Sequence, residues 1–361
     1  MNKISTLFST HFSKKTFTKL LNPIFITFLF IFVGCDNSLN KSSDDDNSKL
    51  IFIVSEGNFG QGNGSISVFR DGKKIQSLFD IGDVVQSILV HEDMLFVIVN
   101  VSSEIKRYTI SESGLDLPGI TISTQSSSPR EMVVLNNKLY FTNWNTKDIK
   151  ILNLNTYAIE HEISLDGLPE DIISDGSFIY TSIPNLILYD QGNGSSVIKI
   201  DPSTKQIVQT YEVGRGPQHM VIHDNNLWVS RTYYSEDWYQ TYFGTTHINI
   251  ITDEIVIKEY GPGMVCGGNV MVFDNQVYRT YEGGIAPIDE NDLSIRSSSK
   301  IGDYGASNIY SVEALNKNVY FGITRDYQSP DTVYIHNDIG EFKYLYEVGA
   351  SPGDYAIWQS N

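Results

Sequence analysis

A unit of four short strands recurs along this chain, and the recurrence decides the fold. Near-copies begin at Val85, Pro129, Pro169, Pro217, Val265 and Asn308, at intervals of 44, 40, 48, 48 and 43 residues. The clearest copy runs Ser128–Leu135, Lys138–Trp144, Asp148–Leu154 and Tyr157–Leu165. Apolar residues alternate within each run, and Asn, Gly, Asp and Pro punctuate at short intervals, which is the signature of strands and tight turns. A last start, Ser351-Pro352-Gly353-Asp354-Tyr355-Ala356-Ile357-Trp358, lacks the strands that should follow it. They stand at the other end, at 50–55, 64–70 and 73–79. Six whole units and one split unit make seven. The expected fold is therefore all-β: a seven-bladed β-propeller of four-stranded blades, its first blade closed by N- and C-terminal strands. A β-sandwich pair would also use such strands. An open solenoid would need capping repeats, and complementary termini argue against it.

The ring is expected over residues 50–361. Ahead of it, residues 1–34 carry Lys3, Lys14, Lys15 and Lys19 and no acid, followed by an apolar run from Pro23 to Gly34. A basic start, a short apolar middle and a small residue before the cut make a signal peptide. Twelve helical residues would rise only ~18 Å, too little for a bilayer core of ~30 Å. Phe32-Val33-Gly34-Cys35 resembles a bacterial lipobox, which implies acylation of Cys35. Residues 35–49 then form a polar tether containing Ser43-Asp44-Asp45-Asp46, which looks like the export signal of Bacteroidota surface lipoproteins. Acyl chains at ~0.8 kcal/mol per buried CH2 would give near-permanent anchoring. The expected location is the outer membrane, lipid-anchored and facing outward. The second cysteine, Cys266, then has no intrachain partner and reads as a small buried apolar residue.

Without residues 1–34 the chain has 22 basic against 43 acidic residues. Such a balance repels nucleic acid and disfavours bare anions. Chemistry is expected on the face that carries the second-to-third strand loops and the blade-to-blade loops. Four of the former are short, and three are enlarged: Glu56–Asn63, Ile183–Gly194 and Arg231–Thr245. The last holds Arg231, Tyr233, Tyr234, Trp238, Tyr239, Tyr242 and Phe243. So many aromatics are costly to leave in water, and they are favoured binding anchors. The same face is expected to present Asn58, Phe59, Trp144, Tyr189, Tyr281, Tyr304 and Tyr327, with Arg130, Arg215, Gln218, Arg279 and Arg325. Aromatic walls with a few fixed polar groups suit a planar or amphipathic ligand. Trp228 and Trp358 read instead as strand core.

Catalytic motifs fail on physical grounds. Gly349-Ala350-Ser351-Pro352-Gly353 matches G-x-S-x-G, yet Pro352 has no N–H for an oxyanion hole and no helix follows. The glycines of 57–64 lack the Lys-Ser/Thr of a phosphate loop. His219 and His223, four apart on a strand, would stand ~13 Å from each other, too far to share a metal. No metal ligand set or cofactor is expected. Glu131, Glu170, Asp171, Asn308 and Asp354, near blade starts, leave room for a metal-dependent propeller hydrolase of the lactonase kind.

Over residues 50–358 the pattern resembles the YVTN-type propeller repeat. The opening Ile53-Val54-Ser55-Glu56-Gly57-Asn58-Phe59-Gly60-Gln61-Gly62-Asn63-Gly64-Ser65 is similar to that of Bacteroidota surface-lipoprotein propellers, a group that includes cobalamin-capturing lipoproteins of the BtuG type. That resemblance implies a non-enzymatic capture protein, with cobalamin or another corrinoid as ligand and a TonB-dependent outer-membrane receptor as partner. A ferric siderophore or a glycan is the alternative ligand.

Overall fold

The computed structural model describes residues 49–263 and 268–360. The expected signal peptide, the lipidation site Cys35, most of the tether and Cys266 lie outside the described residues.

The chain winds into seven antiparallel sheets set around a central channel. Blade 1 holds β1 (Lys49–Ser55), β2 (Ser65–Arg70) and β3 (Lys73–Leu78). Blade 2 comprises β4 (Val85–His91), β5 (Met94–Val99), β6 (Glu104–Ser111) and β7 (Gly114–Ser123). Blade 3 follows with β8 (Pro129–Leu135), β9 (Lys138–Asn143), β10 (Asp148–Asn153) and β11 (Ile159–Ser164). Blade 4 runs β12 (Ile172–Ser174), β13 (Ile179–Ile183), β14 (Ser196–Asp201) and β15 (Gln206–Glu212). In blade 5 stand β16 (Pro217–His223), β17 (Asn226–Tyr234), β18 (Thr241–Asn249) and β19 (Ile255–Pro262). Blade 6 has β20 (Val270–Phe273), β21 (Gln276–Tyr281) and β22 (Gly284–Pro287), and blade 7 has β23 (Ile309–Leu315), β24 (Asn318–Ile323), β25 (Thr332–His336) and β26 (Phe342–Glu347). The last strand, β27 (Pro352–Gln359), returns to blade 1 and pairs with β1 from Lys49↔Gln359 to Ser55↔Pro352. The innermost strands β27, β4, β8, β12, β16, β20 and β23 touch in succession, and β23 meets β27, so the ring is closed.

Local sequence explains the hairpins. Blades 3, 5, 6 and 7 join their first two strands through Asn136-Asn137, Asp224-Asn225, Asp274-Asn275 and Asn316-Lys317, all at positive φ between 46° and 61°. Paired positive φ is the two-residue turn whose twist matches flanking strands, and Asn and Asp tolerate it best. Second strands are buried on both sides, as in Leu95–Val99 and Leu139–Asn143. Their side chains mesh between blades: Phe96 and Ile98 of β5 pack with Met132, Leu139 and Phe141 of blade 3. Each such side chain contributes ~1.5–3 kcal/mol by leaving water. Trp228 and Trp358 are core, as expected, and Trp358 Nε1 donates to Asp93 at 2.9 Å.

Six blades are four-stranded, and the sixth has three strands among the described residues. Beyond Pro287 the chain folds back through Ile288↔Ile295, a single 3-10 turn at Ser297–Ser299 and Ile285↔Ile301. Asp289 Oδ1 accepts the Asn291 N–H at 2.9 Å and fastens this turn. Self-bonding Asp and Asn residues compete with a ladder here, and no continuous outer strand forms among the described residues.

Candidate ligand-binding site

The enlarged loops stand as two walls on one face of the ring. Blade 1 lies opposite the junction of blades 4 and 5 in a seven-membered ring, so its loop 56–64 faces theirs across the channel mouth. Loop 56–64 is tied on both sides. Asn58 Nδ2 donates to the carbonyls of Tyr327 (3.0 Å) and Gln328 (3.2 Å) in blade 7, and the Gly60 N–H donates to Asp83 Oδ1 at 2.9 Å. Gly57 takes φ +79°, and a Cβ there would lie 2.7 Å from the Gly64 nitrogen. So fastened, the loop holds Phe59 80% exposed. In blade 4, Asp190 Oδ2 accepts the Leu186 N–H at 2.6 Å, and the loop turns Leu186, Ile187, Leu188 and Tyr189 outward, Tyr189 being 85% exposed.

The aromatic segment 231–245 is shorter as a loop than its sequence suggests. β17 and β18 continue to Tyr234 and from Thr241, leaving a turn at 235–240 closed by Ser235 N–H to Gln240 O at 2.9 Å. Tyr233 stacks on Tyr242 at 5.4 Å, and Tyr234 lies against Trp238 at 5.2 Å. Tyr239 is 88% exposed at the tip. The hairpin is thus packed at its base and bare at its end. Trp144, Leu188, Tyr189, Tyr234 and Trp238 line a cavity of about 200 Å³ between blades 3, 4 and 5.

Two expected binding residues are corrected. Arg231 and Arg279 are fully buried inside the blade wall and present nothing to a ligand. Arg231 pairs with Glu259 at 2.6 Å and donates to the Lys258 carbonyl at 3.0 Å. Arg279 lies over the rings of Phe243 (5.0 Å) and Tyr260 (5.2 Å) and donates to Gly244 O (2.5 Å) and Thr245 Oγ1 (2.7 Å). Burial pushes the Arg279 guanidinium down to about 10. Both reach the space beside Gly244, where a Cβ would come 2.3 Å from Arg231 Nη2. Tyr304 is also turned inward, partly buried against Phe321, Tyr334 and His336.

The remaining residues divide by role. Arg215 staples the wall, donating to the carbonyls of Gln191 (3.4 Å) and Tyr234 (3.2 Å) and lying 4.7 Å over the Tyr233 ring. Arg130 sits at the mouth, 4.2 Å over the Trp144 ring, but its charge is matched by Glu170 at 2.5 Å, and Nη1 donates to Gln86 at 2.6 Å. Tyr281 lines a separate cavity of about 450 Å³ with Phe243, Tyr260 and Glu282. Arg325 is exposed on the same blade 7 loop as Tyr327. Gln218 lines the channel.

The channel itself has a volume of about 640 Å³. Each innermost strand, or in blades 4 and 6 the residue just before it, contributes a polar side chain here: Ser87, Glu131, Asp171, His219, Asn269, Ser311 and Asp354. Five of them hold the ring together by reaching the next blade. Ser87 Oγ donates to Arg130 O (2.9 Å), Asp171 Oδ2 accepts from Met220 N (2.5 Å), and Asn269 Nδ2 donates to Val312 O (2.9 Å). Ser311 Oγ donates to Pro352 O (2.5 Å), and Asp354 Oδ2 accepts from Ile88 N (2.7 Å). One pleat deeper, Glu313 shares a hydrogen bond with Asp354. Burial, and then the Asp354 and Asp171 charges, hold Glu131 and Glu313 well above the usual carboxylate range; Asp354 rises to about 6, chiefly through burial. Among the described residues no three His, Cys, Asp or Glu side chains are arranged to hold a metal ion.

A third cavity, of about 440 Å³, opens between blades 1, 2 and 7 beside the channel mouth. Glu56, Phe59, Val101, Arg130, Tyr310 and Tyr327 line it. Sequence reading found Phe59, Arg130 and Tyr327. It missed Glu56 and Tyr310, whose signal is their position: the residue after β1 and the second residue of an innermost strand.

No family model matches the chain, and no curated protein matches it by sequence. Solved structures match in number. A protein of unknown function from Desulfotomaculum acetoxidans is 12% identical, with a TM-score of 0.61 over 87% of this chain and 100% of its own. AztD from Citrobacter koseri, in its apo form, is 11% identical, with a TM-score of 0.54 over 86% and 98%. BamB from Moraxella catarrhalis is 11% identical, with a TM-score of 0.53 over 83% and 89%. At such identities the likeness is one of fold, and with the closed ring it defines this chain as a seven-bladed β-propeller. Propellers serve many unrelated functions, so the site must carry the functional argument.

Proposed function

We propose that this chain is a cell-surface lipoprotein that captures a large amphipathic nutrient and passes it to a TonB-dependent outer-membrane transporter. A corrinoid is the favoured ligand. The observation that carries the reading is the pair of apolar walls, Phe59 with Tyr327 on one side and Leu188, Tyr189, Trp238 and Tyr239 on the other, held open across a channel mouth. Exposed aromatics fixed by hydrogen-bonded loops bind with little further loss of conformational freedom. A ferric siderophore, usually anionic, suits a mouth above the channel carboxylates less well, and a glycan could use the same aromatic platforms. The proposed address rests on the Cys35 junction and the acidic tether. A non-enzymatic role fits the commitment of Asp171 and Asp354 to backbone N–H groups, which leaves them poorly placed as general acids or bases. Calorimetric titration of the purified full-length chain with cyanocobalamin tests the ligand. Micromolar or tighter binding is expected, and its absence at that concentration overturns the corrinoid reading. Co-purification with a TonB-dependent receptor from native membranes tests the partner.

A further inference from the structure

The cavity between blades 1, 2 and 7 combines features that capture of an amphipathic ligand does not by itself require. Three aromatic side chains, Phe59, Tyr310 and Tyr327, border a single carboxylate, Glu56. Tyr310 and Tyr327 meet edge to face at 6.0 Å. The Tyr310 hydroxyl donates toward the Glu56 carboxylate. The cavity also touches one guanidinium, Arg130, but that charge is already spent on Glu170, with Nη2 at 2.5 Å and Nε at 3.1 and 3.2 Å from the carboxylate oxygens. The lining is therefore left with one net negative charge inside an aromatic box.

From this we infer that the box is a site for an organic cation: an ammonium or quaternary nitrogen carried on an apolar or aromatic body. Aromatic faces attract such cations through their quadrupole, and a carboxylate at the same place adds a charge partner in a partly water-excluded site. Phe59 is held at the box by a loop tied to both neighbouring blades, while its own ring has little protein to pack on. The state of Glu56 agrees. Burial raises its carboxyl above the usual range, with the Tyr310 hydrogen bond and the Arg130 charge only partly opposing and Glu170 adding to the rise. A cation in the box would supply the missing charge, draw the carboxyl back down and release a proton. Cation affinity should therefore strengthen as pH rises through the Glu56 titration. The inference rests on the capture reading only in that both use the same face, and it adds a charge class to the ligand.

The test is titration of the full-length chain at low salt with benzyltrimethylammonium, and in parallel with benzoate and benzyl alcohol. The cation should bind in the millimolar range or tighter and the other two at least ~10-fold more weakly, a difference of about 1.4 kcal/mol. Glu56→Gln should weaken the cation about 10-fold and remove the pH dependence. Phe59→Ala, at an exposed loop tip, should fold normally and weaken it several-fold. Equal binding of benzoate overturns the inference, as does an unchanged cation affinity in Phe59→Ala. Should Glu56→Gln fail to fold, Phe59→Ala and the benzoate comparison decide. Cyanocobalamin binding without benzyltrimethylammonium binding overturns the box and leaves capture standing; the converse overturns the corrinoid alone.

Discussion

Replacing Glu313 by Gln should stabilise this protein above neutral pH, although Glu313 sits deep in the channel and holds a hydrogen bond. Glu313 and Asp354 come from blades 7 and 1, and their carboxyls lie side by side in the channel. Asp354 is otherwise fully engaged as an acceptor, from Ile88 N at 2.7 Å and Tyr355 N at 2.7 Å. Its carboxyl rises from an ordinary 3.8 to about 6. That is about two pH units, worth roughly 3 kcal/mol at ~1.36 kcal/mol per unit. The folded value lies above the unfolded one, so the stabilisation belongs to the protonated form. It is whole below about pH 4 and gone above about pH 7, so stability falls as pH rises through this window. Glu313 adds a loss of the same sign, since burial first and then the Asp354 charge hold its own carboxyl well above the usual range. The carboxamide introduced by Glu313→Gln cannot ionise, so it removes the Glu313 part of the loss and leaves the part that burial imposes on Asp354. We expect a gain of about 1–3 kcal/mol at pH 8, about 1.5–5 °C in Tm for a body of this size, and little change at pH 4. Scanning calorimetry of both proteins from pH 4 to 9 measures it. A variant less stable at pH 8, or one with the wild-type pH slope, refutes the reasoning. Asp354→Asn is the control: a carboxamide oxygen is one acceptor for two N–H donors, so about 1–3 kcal/mol should be lost at pH 4, and the deficit should shrink as pH rises because the carboxamide cannot ionise.

Other perturbations separate the binding face from the frame. Trp238→Ala combined with Tyr189→Ala should cost no more than about 1–2 kcal/mol of stability, since Tyr189 is largely exposed and Trp238 is half-buried against Tyr234; cyanocobalamin affinity, by calorimetry, should fall about 10-fold or more. Trp358→Phe removes the 2.9 Å hydrogen bond to Asp93, whose exposed carboxylate can turn to water, and leaves space where the buried indole stood; denaturant titration should show a loss of about 1–2 kcal/mol, mostly from lost packing. Gly216→Ala should be severe, because φ is +65° and the new Cβ would lie 2.0 Å from the Thr232 carbonyl oxygen; a loss of more than about 2 kcal/mol, or failure to accumulate soluble protein, is expected.

The ring was legible because its repeat is written in turn chemistry. Asn136-Asn137 and its counterparts mark the first hairpins of blades 3, 5, 6 and 7, and the aromatic in the following strand marks the blade core. Expected blade starts at 85, 129, 217 and 308 fall within a residue of β4, β8, β16 and β23, while those at 169 and 265 precede β12 and β20 by a few residues. The edge of blade 6 was not legible, because Asp and Asn side-chain bonding beyond Pro287 looks in sequence like any other turn. Nor were the buried arginines. Arg231 and Arg279 sit among aromatics in the sequence; only the missing side chain of Gly244, across the sheet, makes room for Arg231, while Arg279 is held by the Gly244 carbonyl. Glu56 and Tyr310 were missed for a related reason: neither is unusual alone, and 254 positions separate them.

The pairing of β1 between β27 and β2 also has a mechanical meaning. If the chain hangs from an acylated Cys35, any pull from the cell surface arrives at Lys49 and runs along β1. That strand cannot peel away one bond at a time, because it is hydrogen-bonded on both flanks and would have to slide against two neighbours together. Traction is then shared by many bonds at once. The same interlock that completes the ring would let a tethered receptor be tugged by a moving partner without unravelling from its anchored end.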